Sequence, residues 1–316
     1  MARERSNALF GPEDPRFPRA DRQLAAAFST PIPMAAELEA FLKTVFGHNE
    51  LMTWNDLAHN EKDRLADRIY DLYSSSGGGA QAVSEKAALV EAANVWGRIA
   101  NVIGSRANCD ARFQYIKYSL QEVLASNSER KALRACRDFL YFTLGNLPAA
   151  YRVYLNLDFS SMPDLVAAMF ALDKALLDEV GSFKICGPGG ARADSVVIYC
   201  RSKEAAEGIA AKMDELIRQG VVTSSNQSVP AMTTRIAAGV AIGAEPVQQA
   251  TGLGSKPAEY GESAQSFGTI RSELIAGAIF NFQDNKGVLG DSFNTFKQLV
   301  AIAFQGYGLD PSRPGD

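Results

Sequence analysis

Three short stretches of this chain, residues 151–157, 182–186 and 192–199, alternate an apolar side chain with a polar or charged one. A period of two is the mark of a strand with one face in a core and the other outside it. Lys and Arg side chains therefore sit on sheet faces, where a cation needs either water or an anion beside it. Lys184 stands between Phe183 and Ile185, so its amine points away from both, into solvent or into a polar cleft.

Away from these strands the patterning changes along the chain. Residues 1–34, rich in Arg, Asp and Pro, read as an extended arm. Over 35–148 the apolar period is helical: it predicts helices over 37–46 and 55–73, one opening at Ser84 and Glu85, and two more over 113–124 and 128–144. The serine and glycine run at 74–79 serves either as a linker or as an anion-binding nest. Leu147 and Pro148 end this pattern. Residues 149–316 alternate strands with helices over 164–180, 203–218, 266–282 and 292–304. The expected fold is α+β: a helical N-terminal region packed on a C-terminal α+β domain with a mixed or antiparallel sheet. Residues 247–261, rich in Gly, Pro and Gln, read as a loop that could border a site.

Charge and residue counts remove several kinds of chemistry. The 316 residues carry a formal net charge of −4. Acidic and basic residues balance before Pro148 and acidic ones prevail after it, so neither half has the basic excess of a nucleic-acid binder. Cys109, Cys136, Cys186 and Cys200 show no Cys-x-x-Cys spacing, which indicates reduced thiols, with no zinc site and no disulfide framework. The sequence begins with charged residues and offers no window of 18 consecutive apolar ones, so neither a Sec signal nor a membrane span is expected, and the compartment is read as cytoplasmic. His48 and His59 are the two histidines. Neither lies near a Gly-x-Ser-x-Gly elbow or a reactive-cysteine setting, which argues against a Ser-His-Asp or Cys-His mechanism. Gly187-Pro188-Gly189-Gly190 could cradle a phosphate or simply turn a hairpin, and no Lys-Ser/Thr follows it.

What remains is a set of cations. Arg152, Arg192, Arg235 and Arg271 come from four elements: the first of the three strands, the turn before the third, a later strand and the helix over 266–282. Guanidinium groups suit bidentate recognition of a phosphate dianion, and solvated strand cations are the plain alternative.

The order of these residues resembles the HopA family of Pseudomonas type III effectors: Tyr151-Arg-Val-Tyr-Leu-Asn-Leu, then Phe183-Lys184-Ile, Arg192-Ala-Asp-Ser-Val-Val-Ile-Tyr199 and Ser266-Phe-Gly-Thr-Ile-Arg271. It is similar also to the lyases of class V lanthipeptide and thioamitide biosynthesis and, more distantly, to phosphothreonine lyases. The resemblance implies a phospho-Ser/Thr lyase without a cofactor, acting on a precursor peptide phosphorylated by a separate kinase-like phosphotransferase. In that reading Lys184 is the base, Arg192 and Arg271 hold phosphate, and Tyr199 matches a tyrosine of the site; the cation pattern adds the expectation that Arg152 or Arg235 lies at the edge of the phosphate site. Arg152 falls where the lyases carry a lysine near the enolate. Tyr154 stands where they have a histidine acid, a departure that keeps open the alternative of an effector secreted into a host cell that works by binding a protein.

Overall fold

A strand forms only where it finds a partner, and the partners here extend the sheet beyond the segments that alternate most clearly. The structure, a computed structural model, describes residues 31–52, 59–74, 85–104, 109–113, 118–128, 131–132, 134–135, 138–145, 149–188, 192–225, 227–245 and 267–316. Its helices are α1 (Ala36–Gly47), α2 (Asn49–Met52), α3 (His59–Ser74), α4 (Glu85–Ile103), α5 (Leu120–Leu124), α6 (Met162–Phe170), α7 (Lys174–Leu177), α8 (Lys203–Arg218), α9 (Phe267–Leu289) and α10 (Phe293–Gly306). Its strands are β1 (Asp110–Phe113), β2 (Phe139–Thr143), β3 (Tyr151–Leu155), β4 (Val180–Cys186), β5 (Val196–Cys200), β6 (Thr234–Ala237) and β7 (Val240–Ala244). Residues 1–30 of the expected arm, the 74–79 run beyond Ser74 and the 247–261 loop lie outside the described residues, as do Cys136 and the side chain of His59.

The chain forms two units, Met1–Ser74 with Gln248–Asp316, and Ser75–Val247. Region 35–148 contributes to both. The first unit is helical. Leu38, Leu42 and Val45 of α1, Leu65 and Ile69 of α3, and Phe296 and Phe304 of α10 are all withdrawn from water. Phe46 meets Phe282 and Phe293 edge-on, with ring centroids 5.9 and 5.6 Å away. Gly268 fixes the approach of α9 to α3, since a Cβ there would lie 2.5 Å from the Tyr73 ring and 2.7 Å from Tyr70.

The second unit is built on a seven-stranded sheet in the order β1-β2-β4-β5-β3-β7-β6, antiparallel at every pairing. The α+β architecture with an antiparallel sheet is thus present. Two expected helices are corrected. Of the helix expected over 113–124 only Leu120–Leu124 is helical, as α5, with Phe113 ending β1; of that expected over 128–144 the described residues 131–132 and 134–135 are helical, while 139–143 form β2. Phe139-Leu140-Tyr141-Phe142-Thr143 has an apolar spacing that fits a helix turn, but its aromatic side chains fit the pleat against β4. There Phe142 stacks on Phe183 with centroids 4.3 Å apart and planes 5° from parallel. The expected helix over 164–180 breaks after Phe170 into α6 and α7, and Val180 already belongs to β4.

Alternation gives the sheet two faces. Leu140, Phe142, Phe183, Ile185, Ile198, Val153 and Ile242 point to one side. They form a continuous core with Val95, Trp96 and Ile99 of α4, Leu165 and Met169 of α6, and Ile209 and Met213 of α8. Each large side chain so buried contributes about 1.5–3 kcal/mol. Helix α8 begins where Ser202 accepts a hydrogen bond from Ala205 N–H at 3.2 Å. Buried Ser195 fastens the β4–β5 hairpin to the end of β3: its Oγ accepts from Leu157 N–H at 2.8 Å and lies 3.1 Å from the Leu155 carbonyl oxygen.

Candidate functional site

The other face of the same sheet carries the cations. Register places Tyr141, Lys184, Val197, Tyr154, Ala241 and Arg235 in one row across six strands. The next row runs Thr143, Ser182, Tyr199, Arg152 and Gly243. Because residues two apart share a face, both rows project to the same side.

Lys184 sits at the centre of the group. Its Nζ lies 4.0 Å from the centroid of Phe139, and its charge acts on the Tyr199 phenol. Arg192 reaches the same Phe139 ring, its Cζ 5.4 Å from the centroid. Arg152 stacks over Tyr199 at 4.8 Å. Tyr141 lies 6.0 Å from Tyr199, ring to ring, and its hydroxyl is 2.7 Å from Ser182 Oγ. Cations and aromatic rings thus interleave, each contact of the kind that contributes about 0.5–2 kcal/mol.

Both arginines hold carboxylates. Arg192 forks onto Asp194, Nε to Oδ1 at 2.7 Å and Nη2 to Oδ2 at 3.1 Å. Arg152 Nε donates to Glu245 Oε1, and the two side chains are only 11% and 15% exposed. The Tyr199 phenol responds to its surroundings. Burial pushes its pKa up, but the charges of Lys184 and Arg152 and the hydrogen bond from Lys184 outweigh burial and hold it below the ordinary tyrosine value. Cys186, next to this group, is the opposite case: burial is the main cause and its thiol is pushed up to about 12. That thiol is no nucleophile near neutral pH.

Lys184, Tyr199, Arg152 and Arg192 are therefore brought together. Tyr154, on the same face, is buried in the row of Lys184, two strands away. Arg235 stands on edge strand β6, four strand spacings or about 19 Å from Lys184, exposed, with Nη1 donating to Gln227 O at 3.0 Å. Arg271 belongs to the helical unit, on α9. It is fully buried there: Nε donates to Pro314 O at 2.8 Å, Nη1 to Phe267 O at 3.2 Å, and Cζ lies 3.5 Å from the Phe267 centroid. Gly187-Pro188 follows β4 directly, and the antiparallel pairing of β4 with β5 makes this segment part of a hairpin connection.

Sequence reasoning did not name Phe139, Tyr141, Ser182, Asp194 or Glu245 for the site. The aromatic, β-favouring run at 139–143 was the available signal for the first two, whereas nothing local marks Glu245. Among the described residues no group of three or more His, Cys, Asp or Glu could hold a metal ion, and no helix is long and apolar enough to cross a membrane.

Residues 142–315 match the family model described as the HopA1 effector protein family. Two solved structures share the fold. The effector protein from Pseudomonas syringae pv. tomato strain DC3000 is 14% identical, with 88% of this chain and 95% of that chain covered at a TM-score of 0.57. The effector protein from Pseudomonas syringae pv. syringae strain 61 is 14% identical, with 89% and 98% covered at 0.56. No curated protein matches the chain by sequence.

Proposed function

The chain belongs to the HopA1 effector protein family, and from that premise we propose that it acts as an effector, engaging a phosphorylated partner protein through the cationic face of its sheet. The observation that carries this reading is the grouping of Lys184, Arg152 and Arg192 around Phe139 and Tyr199. Aromatic rings exclude water on one side of the cations, which strengthens their attraction for a dianion. Arginine adds planar, forked recognition of phosphate oxygens.

A second reading, phosphate elimination, is favoured by the position of the Lys184 amine, over the Phe139 ring and among Arg152, Arg192 and Tyr199. Lys184 Nζ takes the α-proton of a phosphorylated Ser or Thr. The electron pair left on Cα forms the Cα=Cβ bond as the Cβ–O bond breaks, and inorganic phosphate leaves with the bonding electrons. Arg152 and Lys184 neutralise the charge that develops, with Arg192 on the phosphate, while Tyr199 fixes the amine and Tyr154 stands on the same face in place of a histidine acid. Arg271 enters this reading as a phosphate ligand on the family resemblance alone, and Arg235, about 19 Å from Lys184, stands too far away to share the same phosphate. The substrate is then either a host phosphoprotein or a precursor peptide phosphorylated by a separate kinase-like phosphotransferase.

One incubation separates the readings. The full chain is mixed with phosphoserine and phosphothreonine peptides, and both binding and peptide mass are followed. Loss of phosphoric acid that disappears in Lys184→Ala, with peptide affinity kept within about tenfold, or 1.4 kcal/mol, supports elimination. Binding at unchanged mass supports the binding effector. Absence of any preference for the phosphorylated peptides rules out both.

A further inference from the structure

We propose that Glu245 sets the ligand charge this face accepts: its carboxylate occupies Arg152 where a phosphate would, so that a phosphomonoester dianion displaces it and a single carboxylate does not. The proposal rests on the phosphate-binding reading above. Its ground is an asymmetry between two ion pairs on one face. Asp194 is two residues from Arg192, its side chain is 4% exposed, and the pair lies within the turn that leads into β5. It is part of the hairpin. Glu245 is 93 residues from Arg152 and follows strand β7 directly, held by its own N–H to Ala150 O at 2.8 Å. Its carboxylate can leave Arg152 while that backbone bond and the sheet remain.

The neighbourhood shows why a carboxylate is needed there. Arg152 is nearly buried, has the Tyr199 ring on its β5 side and has Gly243, which offers no side chain, opposite it on β7. A buried guanidinium without an anion costs several kcal/mol. Glu245 supplies the anion from within the chain. Being tethered, it competes at an effective concentration on the order of millimolar or more, which a free carboxylate of equal charge and weak affinity does not overcome. A phosphate dianion carries twice the charge and is drawn by Lys184 as well, which stands on the same face and acts with Arg152 on the Tyr199 phenol.

The test titrates the full chain and its Glu245→Gln variant with inorganic phosphate and with acetate, followed by calorimetry. Expected is at least a tenfold gain in phosphate affinity on substitution, acetate binding in the variant alone, and loss of both gains when Arg152→Met is added. Should Glu245→Gln fail to fold by circular dichroism, Glu245→Asp shortens the reach by one methylene and is expected to give a smaller gain of the same sign. Equal phosphate affinity in wild type and variant, or weaker binding in the variant, overturns the role of Glu245 and leaves the phosphate reading standing. Phosphate binding by neither protein overturns that reading and this inference together.

Discussion

The two faces of the seven-stranded sheet are made by the same strands, yet they carry different kinds of interaction. On one, Phe183, Ile185, Ile198 and Val153 join a core shared with α4, α6 and α8. On the other, one residue along each strand, Lys184 lies over the Phe139 ring and Arg152 over the Tyr199 ring. The first face is held by apolar area removed from water, which is large and indifferent to direction. The second is held by directed contacts between charges and rings, small in stability and able to answer an incoming anion. Stability and recognition are thus separated by a single-residue step along the chain.

Four measurements would break or sharpen that contrast. Phe183→Ala opens the core face beside Phe142 and is expected to cost about 3–5 kcal/mol, read as a lowered denaturant midpoint. A loss under about 1 kcal/mol would mean that the stacked pair is not part of the core. Tyr141→Phe, on the other face, removes the hydroxyl contact with Ser182 and should cost about 1 kcal/mol by the same assay. Lys184→Met gives up a cation over Phe139 and should change stability by about 0.5–1 kcal/mol or less, while phosphopeptide recognition falls. Equal damage to stability from Lys184→Met and Phe183→Ala would erase the distinction between the faces.

The smallest effect is on titration. Tyr199 should ionise below the ordinary tyrosine value of about 10, seen as an early step in an ultraviolet tyrosinate titration that Tyr199→Phe removes. An acid whose folded pKa is depressed contributes stability that is full above the unfolded value and is lost as pH falls through the folded one. The benefit from Tyr199 therefore grows only on the alkaline side. Lys184→Met removes the largest lowering influence, the Lys184 charge, so the early step should move up in pH; a step that stays put would mean that Lys184 does not act on this phenol.

Much of the fold was legible because its signals are local. The alternation over 151–157 and 182–186 yields β3 and most of β4, the helical period over 203–218 coincides with α8, and the segment over 292–304 matches α10 nearly to its ends. The end of the helix expected over 128–144 misled, since the apolar run 139–143, with helix-compatible spacing, pairs with β4 instead, and pairing depends on a strand some 40 residues further along the chain. The candidate site was half legible for the same reason. Lys184, Tyr199 and Arg152 stand out as cations and a tyrosine at strand positions and Arg192 as a cation in the turn before a strand, whereas Tyr141 lay in the misread segment and Glu245 follows an unremarkable run of small residues.

By itself the sequence determined which side chain each strand sends to which side, because that follows from a period of two and holds whatever the neighbours are. It determined the acidic balance, the absence of a histidine from residues 60–316, and hence that any proton transfer there must use another group. The tertiary structure alone decided which strands lie side by side: β3 enters between β5 and β7, and that insertion puts Arg152 over Tyr199 and within reach of Glu245, 47 and 93 residues away in the chain. Hydrogen-bonded pairing sets those distances at about 5 Å per strand regardless of separation in sequence. The charge that each cation meets is therefore fixed by strand order, which no local pattern encodes.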